Sequence, residues 1–264
     1  MTSCLILAAG EGKRLRPLTS SKPKALVNFI DKPLIMHQIK ILESVNITKI
    51  GIVTGYKSEK FLPFKYQTYN NHDYEKTNMV YSLFCGQAFF EDNKDDLIIS
   101  YGDIVYERKN LQKLLDTEGD IVIMTDDNWL SLWSLRNENP INDAETMKFD
   151  RQGNIIELGK KPKSINEIES QYTGLIKISK NKIKEFIFFY QRLYKNKILS
   201  KDILDCMFLT HYLQLLIESG WIIRAAHVKS GWLEIDSTKD IELYESLYQQ
   251  GNLCKLWNKN EKNL

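Results

Sequence analysis

No CxxC pair occurs in the 264 residues, and the four cysteines, Cys4, Cys85, Cys206 and Cys254, lie far apart without obvious histidine partners. The reading is reduced, mostly structural thiols in a cytoplasmic protein. No apolar run approaches the length of a membrane span. No basic stretch precedes the apolar residues near the N-terminus, as a secretion signal requires. An excess of one charge is missing too, since 36 Lys and Arg face 34 Asp and Glu. That balance argues against a broad basic face for nucleic acid but leaves room for a local cationic pocket. His37, His72, His211 and His227 are dispersed, and none is given a catalytic role. Repeats and low-complexity linkers are absent as well.

What is present is the composition of an ordinary globular protein, 43% hydrophobic and 27% charged, in a chain long enough for a large core. The first half alternates short apolar runs with helical patterns. Leu5 to Leu7, Ile50 to Val53, Leu97 to Tyr101 and Ile121 to Met124 read as strands. Leu34, His37, Ile41, Leu42 and Val45 recur at helical spacing, Met79 to Phe90 reads as a helix, and Leu111 to Leu115 as a short one. This order predicts an α/β fold, a Rossmann-like and mostly parallel sheet flanked by helices, with ligands beyond the carboxyl ends of the strands. The second half predicts a hairpin over Thr146–Phe149 and Ile155–Leu158, and strands over Tyr172–Ile178 and Trp221–Val228. Helices are expected over Ile183–Tyr194, Ile203–Ile217 and Thr238–Tyr248, then a frayed polar tail from Asn258. One continuous fold is expected: a nucleotide-binding half over residues 1–125, a smaller acceptor-binding lobe over 126–240, and a C-terminal helix and tail over 238–264.

The most informative segment runs Leu7-Ala8-Ala9-Gly10-Glu11-Gly12-Lys13-Arg14-Leu15-Arg16-Pro17-Leu18-Thr19, followed by Lys22-Pro23-Lys24. Small residues and glycines after a strand let backbone N–H groups approach an anion. Lys13, Arg14 and Arg16 add positive charge, and Pro23 stiffens the chain before Lys24. A P-loop would need glycine at Leu7 and Ser or Thr at Arg14, and a dinucleotide fingerprint would need a third glycine near Lys13. Neither fits. A glycine turn beside a solvated basic face is the plain alternative.

The full string resembles the signature of nucleotidyltransferases that activate phosphorylated sugars and phosphorylated small alcohols. The resemblance implies that the loop from Leu7 to Lys13 holds the nucleoside triphosphate, while Arg14 and Lys24 neutralise its phosphates. It also places Gly55, Thr77 and Asn78 near base and ribose, with an N-cap as the structural alternative for Asn78. The chemistry is displacement at a phosphorus between anions, so charge neutralisation matters most, and a magnesium ion on one or two carboxylates suits it. Asp103, following the strand Leu97 to Tyr101 and Gly102, is the first candidate ligand. Asp236, in Gly231-Trp232-Leu233-Glu234-Ile235-Asp236, matches the family's late strand. Glu234 shares its face by alternation and competes with it. Asp95, Asp96, Asp126 and Asp127 read as solvated loop charges.

Leu7-Ala8-Ala9-Gly10, Val53-Thr54-Gly55-Tyr56 and Thr77 to Leu83 are closer to the branch containing phosphocholine cytidylyltransferases than to members with two glycines at the loop start. The pattern is also similar to capsule-associated cytidylyltransferases, including one that activates phosphorylated glutamine. The Glu-Lys-Pro segment of sugar-activating relatives is here Lys160-Lys161-Pro162, which speaks against a hexose phosphate. Lys161 is a candidate for the acceptor phosphate, with Glu234 and Trp129 also on the acceptor side. Trp129, Trp133 and Trp232 could together cage a quaternary ammonium, though Trp133, in an apolar run, reads as core first. The expectation is therefore CTP and a small phosphorylated acceptor. A sugar-1-phosphate nucleotidyltransferase using UTP or dTTP is the alternative, and a non-catalytic nucleotide-sensing subunit a further one. A homo-oligomer is left open.

Overall fold

Strands that end at glycine or aspartate and are apolar on both faces can be covered only by helices on each side. A computed structural model describes residues 1–92, 94–196 and 198–259. Its elements begin with β1 (Thr2–Ala8), the short pair β2 (Asn28–Phe29) and β3 (Lys32–Pro33), α1 (Leu34–Ser44), β4 (Ile50–Thr54) and β5 (Gln67–Asn70). Next come α2 (Met79–Cys85), α3 (Gln87–Phe90), β6 (Asp96–Tyr101), β7 (Ile104–Tyr106), α4 (Arg108–Asp116), β8 (Ile121–Asp126) and α5 (Trp129–Arg136). The rest comprises β9 (Met147–Phe149), β10 (Asn154–Leu158), β11 (Gln171–Ile178), α6 (Ile183–Lys195), α7 (Lys201–Asp205), α8 (Leu209–Glu218), β12 (Ile223–Val228), β13 (Trp232–Glu234) and α9 (Thr238–Gln249).

Nine strands form one sheet in the order β5-β4-β1-β6-β11-β8-β12-β10-β9. The stretch β5-β4-β1-β6 is parallel, β11 runs against both its neighbours, and β8 and β12 are again parallel to each other. The hairpin of β9 and β10 closes the far edge. Alternation along the strands divides the core in two. Cys4, Ile6, Ile98, Val122 and Met124 pack on one face with α1, α4 and α9, whereas Leu5, Leu97, Ile99, Ile121 and Ile123 pack on the other with α2, α6 and α8. Among the described residues no helix is long and apolar enough to cross a membrane.

Two expected helices are broken, each for a local reason. The helix foreseen over Met79–Phe90 divides at Gly86, where an added Cβ would lie 2.8 Å from Leu5 and 3.0 Å from Val53. The chain there packs directly onto the side chains of β1 and β4. The helix foreseen over Ile203–Ile217 divides after Asp205, because the carbonyls of Asp205 and Met207 accept from the N–H groups of Asn78 and Val80 at the start of α2. Helix α5 was not foreseen. The tail is tied down at its start, with Asn258 N–H on Glu107 at 2.7 Å and Lys259 paired with Asp31 at 2.9 Å. Residues 260–264 lie outside the described residues.

The site follows from register. Leu7 of β1 pairs with Tyr101 of β6, so the loop after β1 and the turn Gly102-Asp103 leave the sheet side by side. Gly102 donates to the Leu7 carbonyl at 2.9 Å, and an added Cβ would stand 2.8 Å from that oxygen, so the close approach requires glycine. From α1, Gln38 Nε2 donates to the carbonyls of Tyr101 and Ile104, both at 2.8 Å, which braces the turn between them.

Candidate active site

Gly12 adopts φ 69°, and a Cβ there would meet Lys24 Cβ at 2.8 Å. Both facts exclude other residues, because the left-handed backbone strains them and the space belongs to the Lys24 stem. Thr19 Oγ1 donates to the Gly12 carbonyl at 2.9 Å and closes the loop. Gly12→Ala is expected to cost about 1–3 kcal/mol of stability through backbone strain and to push Lys24 aside. Urea unfolding measures the first effect, and an unchanged midpoint would refute it.

The loop thus aims Lys24 at two carboxylates from distant parts of the chain. Its Nζ lies 2.7 Å from Asp103 Oδ2 and 2.6 Å from Asp236 Oδ1. The short antiparallel ribbon of β7 and β13 brings these aspartates together, with Ile235 N–H on the Asp103 carbonyl at 3.1 Å. Arg14 reaches Asp236 at 3.1 Å. Burial opposes the Lys24 charge, but Asp103, Asp236 and Glu234 outweigh it and hold the ammonium protonated. Burial likewise opposes the charge of Asp236, yet Lys24, Arg14 and Arg136 keep its carboxyl well below the usual range.

Arg136 was not singled out in the sequence. Its side chain, only 4% exposed, forks onto three carboxylates: Glu234 at 3.1 Å, Asp236 at 3.0 Å and Asp240 at 3.0 Å. Asp240 in turn accepts from the N–H groups of Asp236 and Ser237 and completes the capping box of α9. That Ser-x-x-Asp pattern was a readable signal. Nothing in the weakly periodic Trp129–Arg136 segment announced the arginine.

Asp103, Glu234 and Asp236 each present an oxygen within 4.8 Å of the others. Asp103 Oδ1 is buried and has no hydrogen-bond partner among the described residues. An unpaired carboxylate oxygen beside two further carboxylates is a donor set that fits a hard divalent cation. Burial, then Asp236, pushes the Glu234 carboxyl up to about 8 against the pull of Arg136.

These groups line a cavity of about 610 Å³ over the carboxyl ends of β1 and β6. Gly10, Glu11, Gly12, Lys13, Arg14 and Lys24 form one wall, and Asp103, Glu234 and Asp236 the floor. Tyr101, Trp133, Glu145, Gln171, Tyr172 and Thr210 form the opposite wall, which the sequence did not identify apart from Trp133. A smaller adjoining pocket of about 160 Å³ takes in Leu7, Ala9, Gly10, Thr77 and Asn78. Asn78 also serves as the N-cap of α2, accepting from Met79 N–H at 2.8 Å. Ala8 is buried in the core, and Gly55 backs the loop, where a Cβ would stand 2.7 Å from the Ala9 carbonyl.

Other sequence-predicted residues lie elsewhere. Trp129 is buried edge-on against Trp133, and Trp232 is buried with its Nε1 donating to Asp126 at 2.9 Å, so of the three tryptophans only Trp133 lines the cavity. No tryptophan cage forms. Lys161 Nζ turns away to the carbonyls of Ile141 and Asn142, and Lys160 pairs with Glu157 at 3.0 Å. An ammonium in the exposed loop after β10 settles on the nearest carbonyls or carboxylate, whatever motif surrounds it. Asp126 is no solvated loop charge, being 1% exposed and accepting from Ser230 and Asn128 N–H groups. Asp127 pairs with His227 at 2.9 Å.

A family model described as nucleotidyl transferase matches residues 3–242. A protein of Campylobacter jejuni subsp. jejuni serotype O:2 named CTP:phosphoglutamine cytidylyltransferase is 40% identical over 249 residues, spanning 91% of this chain and 98% of its own. Two solved structures share the fold. The CTP:phosphocholine cytidylyltransferase of Streptococcus pneumoniae superposes with a TM-score of 0.67 at 20% identity, over 94% of this chain and 99% of the other. The inositol-1-phosphate CTP transferase of T. maritima gives 0.72 at 21% identity, over 99% and 97%. A match along nearly the whole length, with the glycine loop and the late aspartate both in place, leaves one conclusion: the chain belongs to the nucleotidyl transferase family.

Proposed function

We propose that this chain is a magnesium-dependent cytidylyltransferase, transferring CMP from CTP to a small phosphorylated acceptor and releasing pyrophosphate. The observation that carries the reading is Lys24, held between Asp103 and Asp236 at the mouth of the glycine loop. Cytosine is favoured over other bases by the similarity to the Campylobacter jejuni protein.

Asp103 and Asp236, with Glu234 beside them, are the residues that would hold magnesium. When bound, the ion neutralises phosphate charge and polarises the phosphorus. The chain's own groups then have defined tasks. The backbone of Gly10 to Lys13 cradles the triphosphate, and Arg14 and Lys24 gather charge on the departing pyrophosphate. Leu7, Thr77 and Asn78 border the adjoining pocket, where base and ribose are placed in this reading. An acceptor phosphate oxygen forms the new P–O bond at the α-phosphorus as the bond to pyrophosphate breaks. The acceptor phosphate is already an anion, so no general base is needed. The first half of the chain serves the nucleotide, and the wall from Trp133 to Thr210 serves the acceptor.

The test is pyrophosphate release with magnesium and each of CTP, UTP, ATP, GTP and dTTP, against phosphoglutamine, phosphocholine and glucose-1-phosphate. Acceptor-dependent release with CTP alone is expected. Turnover of glucose-1-phosphate with UTP or dTTP would replace the subfamily reading, and no release in any combination would overturn catalysis itself.

A further inference from the structure

The acceptor wall contains a carboxylate that nucleotidyl transfer does not use. Glu145 lines the cavity beside Trp133, Tyr172 and Thr210. Its position is fixed from both sides. The Gln171 side-chain amide accepts from the Glu145 N–H at 3.2 Å and donates to the Glu145 carbonyl at 2.5 Å. Thr210 on α8 donates to Glu145 Oε1 at 3.4 Å. Among the described residues no basic side chain pairs with this carboxylate. Burial disfavours its charge, the Thr210 hydroxyl favours it, and Asp143 and Lys161 act on it in opposite directions, with burial prevailing.

A fixed, half-buried carboxylate without a directly paired cation is costly to the fold, and residues of this kind persist where a ligand supplies the missing partner. A second unsatisfied group sits in the same wall. Trp133 is 4% exposed, and its indole N–H has no partner among the described residues. Tyr172 lines the same cavity, and its hydroxyl is raised first by burial and then by both Glu145 and Asp103, against the Tyr101 hydroxyl, which lowers it. A ligand beside Tyr172 therefore lies within reach of both the Asp103 cluster and Glu145.

We infer that Glu145 binds a primary ammonium group on the acceptor, so that the acceptor is a phosphorylated amine with its phosphate toward Asp103. The inference rests on the cytidylyltransferase reading above. A carboxylate lined by a hydroxyl calls for N–H donors. A quaternary ammonium offers none, and a hexose would leave the charge uncompensated. Lys161 acts on Glu145 only through space, its ammonium being held by the Ile141 and Asn142 carbonyls, and Glu145 is left as the specificity-determining charge of that wall.

The experiment uses two matched acceptor pairs, phosphoglutamine with its Nα-acetyl derivative and phosphoethanolamine with N-acetylphosphoethanolamine. Each pair keeps the phosphate and removes only the ammonium. Turnover with CTP, and calorimetric binding to protein loaded with CTP and calcium in place of magnesium, are measured for the wild type and Glu145→Gln. The wild type is expected to prefer the free amines, and Glu145→Gln to raise their KM by about tenfold or more with kcat within a few-fold. The acetylated partners should lose little further. CTP affinity unchanged in Glu145→Gln shows that the variant is folded. An equal loss for amine and acetylated acceptors would reduce Glu145 to a structural role and overturn the proposal, as would indifference of the wild type to acetylation. If no acceptor is turned over, the cytidylyltransferase reading fails alone where amine-selective, Glu145-dependent binding persists. Both fail where that binding is absent.

Discussion

Asp103→Asn is expected to lose turnover by about a thousandfold or more while the protein stays folded. The asparagine keeps the shape and one carbonyl oxygen but removes the charge that, with Asp236, would hold the metal. The buried Oδ1 is the atom that matters, because it has no partner among the described residues. The same geometry sets the stability outcome. An asparagine still accepts from Lys24 at this place, and its neutrality removes the Asp103 charge that faces Asp236 and pushes Glu234 up. The melting temperature should therefore hold or rise, as is common where a site is kept for function rather than stability. Pyrophosphate release and a thermal melt decide it. Turnover within tenfold of the wild type would remove Asp103 from the metal site.

Arg136→Met should do the reverse and strike the fold first. The guanidinium is the shared counter-ion of three carboxylates, and its loss leaves Glu234, Asp236 and Asp240 facing each other in a buried place. Breaking such a cluster from one side costs about 3–5 kcal/mol. In a chain of this length that lowers the melting temperature by about 10 °C. Arg136→Lys recovers part of the loss, since one ammonium cannot serve three acceptors that Nε, Nη1 and Nη2 reach separately. The sign of the pH dependence follows from Glu234. Its folded carboxyl is already pushed up to about 8 from the usual 4.5, and losing Arg136 removes the group that lowers it. The folded variant therefore holds this proton to higher pH than the folded wild type does, so Glu234 adds nothing to the deficit between about pH 5 and 8, where both retain it, and widens it above about pH 8. A melting temperature within 2 °C of wild type throughout, against the shift of about 10 °C expected from the cluster's loss, would show that the fork is dispensable.

Residues whose place in the candidate site follows from the chain next to them were legible in the sequence. The loop from Leu7 to Arg14 could be read because a glycine turn after a buried strand has few uses, and Asp103 because it ends a strand beside that loop. Asp236 became a candidate through resemblance and then met Asp103 across the β7–β13 ribbon. Long-range partners were hidden. Arg136 acts through carboxylates about a hundred residues away, and the nearest-neighbour pattern of its helix carries no trace of them. Trp129 and Trp133 sit one turn apart, yet only tertiary packing decides which of them meets the cavity. Lys161 shows the same limit from the other side, since a motif position does not fix where a flexible ammonium settles. Glu145 had no motif at all; it depends on an amide clamp from β11 and a hydroxyl from α8.

Lys24 and Asp236 stand 212 residues apart along the chain. Closing a loop of that length is entropically slow and comes after local helices and hairpins have formed. A nascent or partly folded chain can thus hold most of its central sheet with the reaction site still unassembled. It also means that fraying of the β13 ribbon silences the enzyme before the sheet melts, so a loss of turnover under mild denaturant would register the order in which the molecule comes apart.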